Sequence, residues 1–243
     1  MAPAPRQNES EVRQFFAQWE IYQTLMEQNY FSHREVGQIL HERLRVPPPG
    51  FSFMDLGAGD AAFSSRFLTG LPLGAYEAVD LAEPALERAR IHCRVLSCPC
   101  RFTLGSFVEE IPKRKAEADV IYIGLSLHHL PLPQKEEFFP LLARALKPGG
   151  RLYLYEPVLR SGERRDDCLR RWWEMAQAQW TALDAPRLRL AWDHVSSADY
   201  PEELEVWNQL GRTAGFAPVK NLYTEPQGFY ALLEFPLSRE SVP

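Results

Sequence analysis

Apolar positions repeat at the helical interval near the start of the chain and, past residue 50, in short runs separated by helical stretches. Val12, Phe15, Phe16, Trp19, Tyr22 and Met26 share one face at spacings of three and four, which predicts an amphipathic helix over 8–27 opened by Asn8 and Glu11 as a capping pair. A second helix is expected from Ser32, whose hydroxyl caps while Glu35 reaches back and Phe31 staples against Val36. Ile39, Leu40 and Leu44 continue its stripe. The stretch VPPPG at 46–50 cannot prolong a helix, because proline lacks the amide donor and restricts its predecessor. It therefore separates an N-terminal helical cap, 1–46, from a larger unit, 51–243.

Within that unit strands are expected near 51–56, 75–80, 101–104, 118–125 and 151–156, with helices near 60–69, 83–93 and 133–147. Such alternation predicts an α/β fold, a parallel sheet with helices on both faces. Residues 158–200 interrupt the rhythm with a helix that carries Leu169, Trp172, Trp173, Ala176 and Trp180 on one face. A further helix, opened by Pro201 and closed at Gly215, leads to VKNLYTE and GFYALLEF; their join through Pro226-Gln227-Gly228 is short enough to favour an antiparallel pair.

Composition narrows the choice of partner. A chain of 243 residues, 45% hydrophobic, can bury the core of one elaborated domain, and a formal charge of −5 lacks the basic footprint of a nucleic-acid binder. A small-molecule partner is expected, with no nucleic acid and no membrane; the absence of a leader pattern or a spanning apolar run makes the cytoplasm the simplest address. Cys93, Cys98, Cys100 and Cys168 read as reduced thiols, since the Cys98-Pro-Cys100 pair is too close for zinc spacing and has no matching second pair. Oligomeric state is not legible in the sequence.

The candidate chemistry begins at FMDLGAGD, 53–60, where a strand runs into a turn carrying Gly57 and Gly59. Such a turn brings free backbone donors to the carboxyl edge of a sheet, and Asp80, which ends YEAVD, stands where an acid bonds ribose hydroxyls. These features alone fit a nicotinamide-dependent oxidoreductase as well as other nucleoside binders.

Five blocks in order sharpen the reading: DLGAGD at 55–60, VDLAEPAL at 79–86, GSFVEEIP at 105–112, DVIYIGLSLHHLP at 119–131 and LKPGGRLYLYEP at 146–157. Together they resemble the class I S-adenosylmethionine-dependent methyltransferases, particularly the small-molecule group. The resemblance implies a Rossmann-like seven-stranded sheet in the order 3-2-1-4-5-7-6 with the last strand antiparallel, and it treats the N-terminal helices and 158–200 as variable, substrate-capping parts. It also implies that Asp55, Gly57, Ala58 and Gly59 form the turn beside the methionine end of S-adenosylmethionine, that Asp80 accepts from the ribose diol, and that Leu81 lies against adenine. Ser106 and Phe107 stand where many relatives carry an acid for the adenine amine, Ala61 replaces a third glycine, and Leu125 and Ser126 should border the sulfonium.

Methyl transfer from a sulfonium is an in-line displacement of an activated group, so it needs positioning, no metal, and a base only where the acceptor starts protonated. His128 and His129 follow the fourth strand directly, with His129 favoured to face substrate. Tyr30 and His33 are the other catalytic candidates, if the N-terminal segment folds over the methyl group. The expected activity is methylation of an oxygen or nitrogen of a small metabolite; the rivals are a nicotinamide-dependent oxidoreductase and a non-catalytic S-adenosylmethionine-binding regulatory protein. Arginines at 160, 164, 165, 170, 171, 187 and 189 make the 158–200 region locally basic, but Glu163, Asp166, Asp167 and Glu174 stand close enough to neutralise much of it.

Overall fold

The computed structural model describes residues 19–237, so the expected Asn8–Glu11 cap and Val12, Phe15 and Phe16 lie outside the described residues. Helix α1 holds residues 19–27 and α2 spans His33–Arg43. Then come β1 (Phe51–Leu56), α3 (Ala62–Leu68), β2 (Leu73–Asp80), α4 (Glu83–His92), β3 (Cys100–Leu104), a short α5 (Phe107–Glu110), β4 (Ala118–Gly124), α6 (Leu132–Ala145) and β5 (Leu146–Leu159). The chain continues through α7 (Arg165–Gln179), α8 (Ala185–Ala198), a two-residue β6 (Glu202–Glu203), α9 (Leu204–Thr213), β7 (Lys220–Thr224) and β8 (Tyr230–Pro236).

The main path of the sheet is β3-β2-β1-β4-β5-β8-β7, with β6 paired to β5 off that path. The first five strands run parallel, and β8 is antiparallel to both β5 and β7. This is the expected seven-strand order with its reversed last strand; β6 is an addition, two residues pairing Val158 and Leu159 where the chain returns from 158–200. That region holds two helices where the tryptophan spacing pointed to one: α8 begins where Asp184 accepts from the Arg187 amide at 2.9 Å, with a proline in its first turn.

Alternation along the strands gives the two faces different chemistry. Phe53, Tyr76, Tyr122, Tyr153 and Tyr155 point to one core, shared with α1–α4 and α7, while Met54, Leu56, Ile121, Ile123, Leu152 and Leu154 point to the other, beneath α6 and α9. Trp207 of α9 is completely buried in that second core. The aromatic face fixes the N-terminal helices over the sheet: Tyr155 donates its hydroxyl proton to the Phe31 carbonyl, and Arg43 reaches the buried Glu234 of β8 at 2.6 Å.

One expected detail fails here. Ser32 does not cap α2, for its own backbone is left-handed (φ 51°) and its hydroxyl makes no capping bond. A cap needs an extended residue whose side chain faces the first amides. Asn29 serves instead, accepting from the Arg34 amide at 2.9 Å and donating to Glu35 Oε2 at 2.8 Å. The buried stripe of α1 likewise runs through Ile21 and Leu25, with Tyr22 partly covered beside them.

Candidate active site

The carboxyl edge of the sheet brings together one turn and two strand ends. Beyond β1 the backbone is left-handed at Gly57 (φ 68°), Gly59 (φ 56°) and Ala61 (φ 53°), the last in the place of the third glycine. The two glycines are required for different reasons. A Cβ on Gly57 would stand 2.4 Å from Ser126 Oγ and 2.7 Å from Ser126 Cβ, whereas a Cβ on Gly59 would meet nothing within 4 Å. Gly57 lets the end of β4 close against the turn, and Gly59 leaves open space.

The Gly59 amide donates to Asp80 Oδ2 at 2.7 Å and the Ala82 amide to Oδ1 at 2.8 Å, so Asp80 ties the glycine turn to the start of α4. Each carboxylate oxygen retains a further lone pair. Burial pushes the Asp80 pKa up, and these backbone donors oppose it. Leu81, next to it, is 72% exposed. Ser106 caps α5 by accepting from the Val108 amide at 3.2 Å, and the Phe107 ring packs on Phe138 with centroids 5.5 Å apart. Asp55 turns the other way, into the aromatic core, where it accepts from the Tyr76 hydroxyl at 2.8 Å and burial pushes its pKa up to about 6.

The opposite wall follows β4. Leu125 is left-handed (φ 51°), and Ser126 and a short 3-10 turn over Leu127–His129 wrap around a carboxylate that sequence reasoning missed. Glu156 of β5 is completely buried; it accepts the backbone amides of Ser126 at 3.2 Å, Leu127 at 3.0 Å and His128 at 3.2 Å, and lies 2.6 Å from His128 Nδ1. A lone acid inside the apolar run LYLYEPVL was its signal: a charge at a core position needs partners. Burial, the largest single influence, pushes the His128 pKa down, but the Glu156 and Asp199 carboxylates together outweigh it and the pKa is raised. The other ring nitrogen, Nε2, stands 3.5 Å from Asp199 Oδ1, as does His129 Nδ1. Burial, with His128 beside it, lowers the His129 pKa to about 4. No local pattern marks Asp199, which arrives from the end of α8.

Turn, acid and histidines open onto one cavity of about 360 Å³, lined by Gly59, Asp80, Leu125, His128 and His129. Its apolar walls come from Ile21 and Tyr22 of α1, from Trp172 and Trp180, and from Ala191 and Val195 of α8. Trp19 closes one side: its indole donates to Asp60 Oδ2 at 3.2 Å while the Arg88 guanidinium sits 3.6 Å over its ring. Tyr30 and His33 are absent from this lining. The Tyr30 ring stacks on Trp180 and its hydroxyl accepts from the Ala182 amide; His33 lies 95% buried in a cage of Tyr22, Phe31, Phe63 and Tyr155, where burial lowers its pKa to about 4. Several arginines of 158–200 are spent on structure, Arg165 on the Ser196 and Asp199 carbonyls and Arg171 on Glu163.

Residues 53–150, from β1 through the glycine turn, Asp80 and the histidine pair into β5, match the methyltransferase-domain family. Over that stretch, 98 of its 243 residues, the chain is similar to methyltransferase domains. In sequence it is 30% identical over 120 residues to malonyl-[acyl-carrier protein] O-methyltransferase of Methylococcus capsulatus, covering 49% of this chain and 42% of that one. It is 30% identical over 148 residues to 24-methylenesterol C-methyltransferase 2 of Oryza sativa subsp. japonica, covering 56% and 38%. The matches thus span about two-fifths of the length of these curated relatives. The fold of the methyltransferase domain with its N-terminal helices is also that of human N-acetylserotonin methyltransferase in complex with SAM: TM-score 0.61, 18% identity, 98% of this chain and 60% of that chain.

Proposed function

We propose that this protein transfers a methyl group from S-adenosylmethionine to an oxygen or nitrogen of a small metabolite held in the cavity beneath α1, α7 and α8. The observation that carries the reading is that the Asp80-braced glycine turn and the Glu156-braced histidine wall line the same cavity. The residues present suit the cofactor. Gly59 leaves the space a side chain would fill, Asp80 keeps lone pairs for ribose hydroxyls, and exposed Leu81 offers an apolar face to adenine. Gly57, Ala58, Ser106, Phe107, Leu125 and Ser126 complete the proposed cofactor site, while Asp55 at the end of β1 faces the core and accepts from Tyr76. S-adenosylmethionine, when bound, supplies a methyl group already activated on a sulfonium.

The protein then has to orient the acceptor, exclude water and accept a proton where there is one. Trp172, Trp180 and Tyr22 give the acceptor an apolar aromatic enclosure, which suits a flat body with one polar end. His128 and His129 meet that polar end. His128 is the stronger proton acceptor because Glu156 holds its Nδ1 and stabilises the imidazolium, whereas His129 stays neutral. Tyr30 and His33 serve in this reading as packing for the cap. A proton-accepting wall favours an oxygen or nitrogen acceptor, although the two curated relatives are named for O- and C-methylation. The net charge of −5 and the apolar walls of the cavity favour a small molecule over a nucleic acid.

Calorimetric titration with S-adenosylmethionine, S-adenosylhomocysteine and reduced nicotinamide dinucleotide, repeated on Asp80→Ala, tests the reading. Selective binding of the sulfur ligands, weakened in the variant, is expected; binding of the nicotinamide alone would overturn it. Binding of the sulfur ligands with no methyl acceptor found in a broad screen would point to the non-catalytic alternative.

A further inference from the structure

We propose that His128, His129 and Asp199 form a binding site for one divalent first-row transition-metal ion on the wall of the cavity. Their ligand atoms lie within 4.8 Å of one another, and these three make up the one such cluster of histidine, cysteine and carboxylate groups among the described residues. Two of the separations, His128 Nε2 and His129 Nδ1 to Asp199 Oδ1, are both 3.5 Å. Ligands about 2.0–2.2 Å from a tetrahedral zinc ion stand roughly 3.4 Å apart, so these edges fit a coordination sphere. They are long for hydrogen bonds, and Asp199 Oδ1 is a buried oxygen with no hydrogen-bond partner. An orphaned carboxylate oxygen between two imidazole nitrogens is the arrangement a cation would complete, His129 Nδ1 exchanging its 3.3 Å hydrogen bond to the Ala198 carbonyl for the ion.

The support behind the cluster has the same character. Metal-ligating histidines usually give their second ring nitrogen to a carboxylate, which fixes the tautomer that leaves the first nitrogen free. Glu156 Oε2, 2.6 Å from His128 Nδ1, does this here and leaves Nε2 for the ion. Charge points the same way: Glu156 and Asp199 are two buried carboxylates at this wall, while the nearby ammonium of Lys135 is engaged by Glu202 at 2.8 Å and by the Tyr200 carbonyl. Two histidines and one carboxylate leave coordination positions open towards the cavity. On the methyl-transfer reading, an acceptor oxygen entering one of them would shed its proton to water more easily than in free solution. Ligation and base catalysis by His128 are then exclusive, since both use the Nε2 lone pair.

The test is titration of the chelator-stripped full chain with Co²⁺, followed by visible d–d absorption, with Zn²⁺ in competition. One equivalent of bound cobalt, displaced by one of zinc, is expected, with affinity weakened at least about tenfold in Asp199→Asn, in His129→Gln and in Glu156→Gln. His41→Gln, remote from the cluster, should bind as the parent does, and thermal melts identify any variant that has lost its fold. Absence of stoichiometric cobalt binding overturns the proposal. So does a spectrum unaltered by Asp199→Asn and His129→Gln, or one dominated by thiolate charge transfer, which would put the cobalt on Cys93, Cys98 and Cys100. None of these readouts uses S-adenosylmethionine, so failure of the metal site and failure of the methyltransferase reading are told apart.

Discussion

The two glycines of the turn should fail differently when each is given a methyl group. Gly57→Ala suffers twice: a left-handed residue with a Cβ costs about 1–2 kcal/mol, and a Cβ 2.4 Å from Ser126 Oγ and 2.7 Å from its Cβ adds overpacking of about 1–3 kcal/mol. The sum, roughly 2–5 kcal/mol, corresponds to a fall in melting temperature of about 2–4 °C per kcal/mol for a chain of this size. Gly59→Ala carries the backbone cost alone, because no atom lies within 4 Å of its Cβ. Its damage should appear in cofactor affinity, where the methyl group occupies space proposed for the ligand. Ser126→Gly removes both clashing atoms, at the cost of contacts from Ser126 Oγ to the Gly57 and Gly124 carbonyls. The Gly57→Ala/Ser126→Gly double variant should therefore recover the steric part, with a coupling of about 1–3 kcal/mol. Thermal melts of the parent and the four variants, with S-adenosylhomocysteine titrations of the parent and Gly59→Ala, measure all of this. Equal melting points for Gly57→Ala and Gly59→Ala, or a strictly additive double variant, would refute the division of labour.

Asp55 gives a pH dependence of unusual sign. Its folded pKa of about 6 lies above its ordinary value of 3.8, so the unfolded chain ionises first and stability falls as pH rises from 3.8 to 6, by about 3 kcal/mol in all. Asp55→Asn, which keeps an acceptor for Tyr76, should lose that slope; an unchanged pH profile of melting would count against a carboxylate whose burial outweighs its hydrogen bonds. Glu156→Gln removes a carboxylate that holds three backbone amides and His128, and should cost about 3 kcal/mol in denaturant unfolding; a change under 1 kcal/mol would mean that the 126–129 turn holds without it. His33→Phe fills an aromatic cage and removes a buried Nδ1 that lacks a partner, so stability should hold and methyl transfer persist within a few-fold. A hundredfold loss of kcat at unchanged stability would instead restore His33 as the base.

How much of this was legible in the sequence depended on whether the determinant was local. Gly57, Gly59 and Asp80 were readable because a strand, a turn and the next strand's end fix one another within some thirty residues, and the Asp80 bond to the Gly59 amide is that relation in physical form. The strands themselves followed from the same alternation, since a parallel sheet buried on both faces writes its strands as short apolar runs, while their order was implied by the resemblance of the five blocks to a known family. Ser32 misled because its cap motif is defined by side chains while the outcome is set by backbone, and the 29–32 turn spends two left-handed residues, Asn29 and Ser32, to swing α1 over the sheet. The histidine wall was half visible. His128 and His129 stood at a strand end, but the groups that give them chemistry arrive from 28 and 70 residues further on, Glu156 as one acid in an apolar strand and Asp199 from the end of a helix that tryptophan spacing did not reveal. Their meaning exists only where the return of the chain from 158–200, pairing β6 with β5 and the Tyr200 amide with the His128 carbonyl, sets Asp199 against the imidazoles. The side of the cavity proposed for the nucleoside is therefore built by neighbours in sequence and the side proposed for the acceptor by the return of the insert, so on the proposed reading substitutions in 158–200 should alter the choice of acceptor while leaving cofactor binding intact.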